Sequence, residues 1–579
     1  MKKLMSIVLV IILAIAFCFS LNTPISKTQA EEGSNARDVI PPTTYITEDQ
    51  AHARLFTYDN SDFTNISATN QDISPEVNAI TWNSTDSYWA IVARGRLWIY
   101  DTTVHEILGT NPYDTPEGNI YPYVDIASSG SHDLLAGALT GRGMAYDGSS
   151  TSAYNLANTK LTSDINASTA TLPVQDGTKF QADDIIQIGM ENCLVENVVG
   201  NNLAVTRGYA NSDAELHGTG EDVSIAIADI VSVDWDASNN RWIVAALAPD
   251  HTTHLFATSS NNNSTDLGLA GVSKARGDYR VTDTAYYLVG GENSDGTAPK
   301  LYSYDNNTTL TDITDQIPNM GEGVRVITGG TSDWMVGGEG ANILYRISET
   351  EGSFSGSYIG VPTALTSVTA IGYQDDNRWL IGGKDSEGKA LLYSYDHSTE
   401  TFVDLTAKMQ ADTQVAITTI NSIVWNGSTW LIGGAGLFNV SPESGGSVMS
   451  TDKNAKVAFT SETVEHDSSV RVSEAVDIAP NSSLRSASTV YDFTAQDLVA
   501  NESTTQFSKS ATISIGFDPS ALGDIPESNL SIYYYNETTK QWVQVSGTVN
   551  TVNNVVTAEI NHFTKFGIFA SNRLPYTGR

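Results

Sequence analysis

A chain of 579 residues, 40% hydrophobic and only 17% charged, carries enough apolar side chains for several cores and is not a disordered chain. Its formal net charge of −36 argues against a nucleic-acid partner, whose phosphates require a surplus of Lys and Arg. The 25 tyrosines, 46 glycines and many Ser, Thr and Asn-rich turns favour an all-β fold, and no long segment beyond the N-terminal thirty residues has helical apolar spacing.

The N-terminus reads as an export signal. Lys2 and Lys3 precede the apolar run 4–21, and Thr28-Gln29-Ala30 offers small residues where a signal peptidase cuts. Cleavage after Ala30 defines 1–30 as a signal peptide, and loss of Lys2, Lys3 and Lys27 takes the net charge from −36 to −39. Cys18 lies within the apolar run, but Phe17 before it makes a poor lipidation site. Cys193 is then the single remaining cysteine, so no intrachain disulfide forms, and it reads as a small buried hydrophobe. Residues 31–50 read as a linker.

From 51 to 440 one unit recurs every forty to fifty residues, a period that belongs to propeller blades. It is clearest in 367–406, where SVTAIGY, RWLIGG, ALLYSYD and TFVDLT are short strands divided by polar turns. First halves, each an apolar strand followed by a second strand that usually opens on Trp, fall at 79–93, 123–137, 232–246, 279–291, 324–338, 368–383 and 421–434. Second halves fall at 53–67, 96–108, 143–156, 254–268, 301–314, 343–358 and 391–406. The count is seven of each, displaced by one half-unit, so 53–67 is expected to pair with 421–434 and close a seven-bladed β-propeller over 51–160 and 227–440. GLFNV (436–440) stands as an additional or competing strand at that closure.

Trp89, Trp242, Trp334, Trp379 and Trp430 occupy one repeated position, which Tyr287 and Leu134 fill in the other two units. A row of tryptophans can stack on carbohydrate, but internal repetition assigns these to packing between blades. The paired glycines after them suit close backbone approach. Asp86, Asp236, Asp333, Asp375 and Asp376 recur in hairpin turns, where a carboxylate caps the turn backbone.

Residues 161–226 lack this unit and read as a small β-barrel-like domain inserted between the second and third blades, with His217 an exposed loop residue. Residues 441–460 read as a linker. The longer strands of 461–570 read as a C-terminal β-sandwich in which His562 is a hydrogen-bonded core histidine. A tail, 571–579, carries Leu574-Pro575-Tyr576-Thr577-Gly578, followed by Arg579.

Four resemblances add to this reading. The paired glycines Gly382-Gly383, with Tyr395-Asp396 and then Phe402, resemble the kelch repeat of galactose-oxidase-type propellers, although kelch usually has Trp where Phe402 stands. The run IIQIGMENCLVENVVGNNLAVTRGY is similar to a module of phage tail and virion structural proteins, which implies binding or assembly. Tyr533, Trp542, His562, Phe563, Thr564 and Phe566 resemble a C-terminal sandwich module of bacterial and archaeal surface proteins. Leu574 to Gly578 matches the sortase recognition sequence, which implies attachment to a cell wall; the apolar span and basic tail that usually follow it are not found after Gly578.

Copper radical oxidases among kelch propellers need a Tyr–Cys crosslink, a second Tyr and two His. Here the blades hold no cysteine, and His52, His105, His132, His251, His254 and His397 are scattered over different loops. Neither sialidase boxes nor a Walker motif, zinc spacing or G-x-S-x-G is found. No catalytic, cofactor-binding or metal residue is therefore assigned. Calcium is the cation the acidity would suit, without a motif to mark its site. The expectation is an exported, non-catalytic cell-surface protein, extracellular and without a membrane span in its mature form. Its propeller would bind a glycan or protein ligand or serve adhesion. The alternatives are a structural surface-layer component and an extracellular carbohydrate-active enzyme.

Overall fold

The computed structural model describes residues 49–571 apart from 68–75, 94–95, 107–122, 132, 139–142, 251, 269–271, 281–285, 294–295, 306–309, 318, 322, 476–483 and 523–524. The signal peptide with Ala30, all but the end of the 31–50 linker, and Leu574 to Gly578 lie outside the described residues.

The fold is almost wholly antiparallel β. Each recurrent unit is a four-stranded meander, as in Val77–Asn83, Tyr88–Ala93, Arg96–Tyr100 and Val104–Glu106. Five such sheets stand alone, and two more, from Gly323–Gly329 to Thr401–Asp404, are joined edge to edge by the pair Glu339↔Ser367. The first strand of every sheet lies against the first strand of the next. The last, Thr419–Trp425, returns to Val77–Asn83, so the inner strands form a closed ring and the fold is a β-propeller.

The closing sheet joins the two ends of the ring. Gln50–Tyr58 pairs along its whole length with Trp430–Phe438, from Gln50↔Phe438 to Tyr58↔Trp430, and Phe63–Asn65 adds the outer strand. The expected pairing of 53–67 with 421–434 is thus formed. Residues 436–438 do not compete with it, because they prolong the same strand. A short helix that the sequence reading lacked, Thr406–Thr413, backs the closure: Asp412 accepts the Phe63 N–H at 3.0 Å and Lys408 pairs with Asp62 at 3.1 Å.

The repeated tryptophans are packing residues. Trp334 and Trp430 are wholly buried and Trp89, Trp242 and Trp379 nearly so, with Tyr287 and Leu134 buried in their places. Each crosses to the end of its inner strand, and four of them meet an aromatic there: Trp82–Trp89, Trp235–Trp242, Tyr373–Trp379 and Trp425–Trp430 have ring centroids 4.6–5.0 Å apart. The two glycines that follow do different jobs. A Cβ on Gly382 would lie 2.7 Å from Ile420 of the next sheet, and one on Gly383 would lie 2.0 Å from the Ser367 carbonyl at the bulge of its own inner strand. The same division holds for Gly337-Gly338 and Gly433-Gly434.

The turn aspartates split. Asp375 and Asp236 cap their hairpins, Asp375 Oδ1 accepting the Asn377 and Arg378 N–H groups at 3.0 Å and Asp236 that of Asn239 at 3.1 Å. In the first hairpin Asn83, not Asp86, does this. Asp333 instead binds Arg346 and Ser348 of a neighbouring strand.

The insert is a six-stranded sheet whose first strand, Asn158–Lys160, begins before the expected boundary. Its edge strands meet through the bridge Leu161↔Val174, which curls it around Leu172, Ile186, Cys193, Val195 and Leu203. His217 is not exposed: it is buried between Glu191 and Glu221, because the loop carrying it is pinned by the bridge Ile165↔His217.

The 441–460 segment is not a linker. Gly446–Met449 and Ala455–Phe459 are strands that pair onward to Gln506–Gly516, so the C-terminal sheets begin directly after the ring. Two sheets there share one core that includes Val457, Val470, Phe493, Ile513, Ile532, Phe563 and Phe566. His562 lies at the rim of that core, half-buried, edge-on to Tyr534 and beside Asn561 Oδ1 at 3.1 Å. Its place at a strand end keeps it from the central position expected.

Candidate functional site

A ring of inner strands leaves a space at its axis, and side chains alternating along each strand decide what lines it. The space is a cavity of about 390 Å³ reached by six of the inner strands, among them Ala79–Thr81, Asp125–Ser128, Ser232–Asp234 and Arg325–Thr328. Its wall is tied by polar side chains that bond the next strand's backbone. Thr328 donates to Ile371 O at 2.9 Å, Thr369 to Ile420 O at 2.6 Å, and Asn421 to Val77 O at 2.9 Å. Asp125 accepts from Val233 N at 2.9 Å, and Ser422 from Ile80 N at 3.0 Å. These bonds link strands that share no ladder, so they fix the bore without closing it.

A second hollow of about 450 Å³ opens where the inner strands begin, lined by Glu76, Asn78, Arg325, Glu339, Lys384 and Asn421 among others. Asn78, Arg325, Thr369 and Asn421 line both spaces, so the hollow is the mouth of the channel. Burial opposes the charge of Arg325, but ion pairs to Glu339 and Glu292 outweigh it and raise its pKa. The mouth therefore holds one cation fixed between carboxylates, with Lys384 and Glu76 beside it. Such a surface offers hydrogen bonds of both senses.

Of the scattered histidines, those with described side chains each have a different partner. His52 stacks on Phe438 at 4.0 Å, His254 binds Asp266, and His397 binds Arg346. His132 and His251 lie outside the described residues. Among the described residues no group of three or more His, Cys, Asp or Glu side chains is arranged to hold a metal ion, and no helix is long and apolar enough to cross a membrane.

Three charged networks were not visible in the sequence. In the insert, Glu191 takes Arg207 on both oxygens at 2.5 and 2.6 Å, the Glu215 N–H at 2.9 Å and His217 Nε2 at 3.0 Å. Burial pushes Glu191 up, but these donors prevail and bring it to about 2. Next to it, burial and the Glu191 charge push the Cys193 thiol up to about 12. At the ring's junction with the C-terminal sheets, buried Arg54 pairs with buried Asp467, which also accepts Ala416 N at 2.8 Å. The third lies between the insert and the ring, at Asp184, His254 and Asp266.

Fold and site thus define a β-propeller with an open, polar axial channel. No protein-family model and no curated protein matches the chain. Solved structures similar to it include YCF48 bound to D1 peptide, at 9% identity over 62% of this chain and 91% of that one, with a TM-score of 0.37. The β-propeller domain of Cps50 (Swd1) from Myceliophteria thermophila is 10% identical over 63% and 98%, with a TM-score of 0.36. The WD40 propeller of Doa1 is 12% identical over 67% and 97%, with a TM-score of 0.32.

Proposed function

We propose that this chain is an exported, non-catalytic surface protein whose seven-bladed propeller is a scaffold for binding a protein ligand at the channel mouth. The observation that carries the reading is the mouth itself. A polar hollow of about 450 Å³ is set on a ring whose inner strands are bonded to one another, so the ligand meets groups already in place. The glycine pairs, Tyr395-Asp396 and Phe402 support placing it among kelch-like propellers. The two C-terminal sheets act as a β-sandwich spacer, and Leu574 to Gly578 supports anchoring to a cell wall.

Residues 31–579 immobilised through an engineered C-terminal tag should retain a peptide from a displayed random library. Lys384→Glu, which inverts a charge at the mouth, should weaken that retention at least tenfold without moving the melting temperature. Equal retention by wild type and Lys384→Glu would place binding elsewhere. Turnover of a polysaccharide by the purified protein would replace the reading with an enzymatic one.

A further inference from the structure

We propose that the insert is a pH-sensitive arm, latched onto the ring by Asp184 against Asp266 and His254 under acidic conditions and released as the pH rises.

The insert enters between Thr151–Tyr154, the outer strand of one sheet, and Asp229–Asp236, the inner strand of the next. It therefore emerges on the face where inner strands begin, the face of the channel mouth. It docks on the sheet of Asp229–Asp266 through Ile185, Ile225 and Ala226 against Ala246, Ala248 and Phe256. At the centre of this apolar contact is Asp184, 3% exposed. Its Oδ2 accepts the Gln181 N–H from its own turn at 2.8 Å, and its carboxyl faces that of Asp266.

The charged groups that act on Asp184 belong to the ring side, while the insert adds the Tyr209 hydroxyl nearby and Asp183 next in its own turn. Asp266 is on Asn263–Asp266 and is bonded to His254 Nδ1, on Thr253–Ser260, at 2.6 Å; Asp250 lies in the preceding turn. His254 Nε2 is 3.1 Å from Thr252 Oγ1. Two further bonds cross the contact, Gln181 Nε2 to the Asp266 backbone O at 2.8 Å and the Tyr209 hydroxyl to the Asp250 carboxylate at 3.2 Å. Among the described residues His254 is thus the one cation facing two acids that lie against each other, and the arrangement is satisfied when those two share a proton.

The direction follows from this geometry. Burial pushes Asp184 up to about 7, Asp266 adding to the rise while the Gln181 N–H and His254 oppose it. Once the arm lifts off, Asp184 regains water and its ordinary value near 3.8. Docking then takes up a proton. Its contribution is complete below about pH 4, falls about tenfold for each pH unit above that, and is gone above about 7. His254 moves the same way: burial lowers it, but Asp266 and the other acids raise it further, so its charge is also lost as pH rises.

The test is a distance between arm and ring. Spin labels on Val199→Cys in the insert and Val403→Cys on a remote blade, both exposed positions, report it in the full mature chain, and buried Cys193 stays unlabelled. We expect a single narrow distance at pH 5 and a second, broad population at pH 8, with the undocked fraction raised at least tenfold. Asp184→Asn, neutral at both pH values, should stay narrow at both. If that variant fails to fold, Asp266→Asn, which removes the repulsion from the other side, should likewise lose the response. An identical distribution at pH 5 and pH 8 in the unsubstituted latch would overturn the proposal. So would an unchanged pH response in the folded neutral variants.

Discussion

Arg54 and Asp467 meet across 413 positions of sequence, and the guanidinium also lies 4.5 Å from the centre of the Phe438 ring. Neither side of such a pair tolerates loss of the other, because a lone charge buried at the junction has no water to return to. Arg54→Met should cost about 3–5 kcal/mol, read as a fall in urea midpoint. Glu191→Gln should unsettle the insert by a similar amount, about 3–5 kcal/mol, seen as faster exchange of the Val195 and Val205 amides. Glu191 is depressed from 4.5 to about 2, so its contribution is present above pH 4.5 and lost as pH falls through about 2. Amide exchange in the insert between pH 5 and pH 2 should accelerate in wild type and change less in Glu191→Gln. None of these partners was legible in the sequence. His217 was read as an exposed loop residue because a single histidine among Ser, Gly and Asp carries no periodic signal, and its burial depends on Glu191, 26 positions away.

At the scale of the element, the repeated strands were legible because the same physical demand recurs in each. An inner strand must approach its neighbour closely, and a second strand must fill the layer between sheets. Hence the Trp recurs at one spacing, followed by paired glycines after Trp334, Trp379 and Trp430 and by alanine after Trp89 and Trp242. Gly383→Ala, placing a Cβ 2.0 Å from the Ser367 carbonyl, should cost about 1–3 kcal/mol through overpacking. Trp379→Ala leaves a cavity instead and should cost about 3–5 kcal/mol. Both are measured by chemical denaturation, and the contrast separates backbone clash from lost packing. The short helix Thr406–Thr413 and the strands of 441–460 were missed for the opposite reason. The helix's apolar positions are few, and the strands, GSVM and AKVAF, are short and set in a segment rich in Ser, Gly and Lys.

For the whole molecule, closure of the ring is the decisive contact, and nine consecutive residue pairs of Gln50–Tyr58 with Trp430–Phe438 carry it. A variant beginning at residue 67 loses this strand and exposes the edge of Trp430–Phe438, which invites pairing with other chains. It should unfold with reduced cooperativity and form oligomers, seen as a broadened calorimetric transition and early elution on size exclusion. That 53–67 pairs with 421–434 was readable from the half-unit displacement, but the register was not, because 436–440 could have competed, and only the structure shows that 436–438 prolong the same strand.

The sequence alone determined the all-β class, the repeat and its displacement, because hydrophobic alternation and turn chemistry are local and recur from unit to unit. Only the tertiary structure decided where the channel mouth lies, that Asp184 meets Asp266 and His254, and that Arg54 meets Asp467. Those contacts are made once, between residues far apart in the chain. Each depends on burial, which removes water from a charge and so makes one distant partner matter.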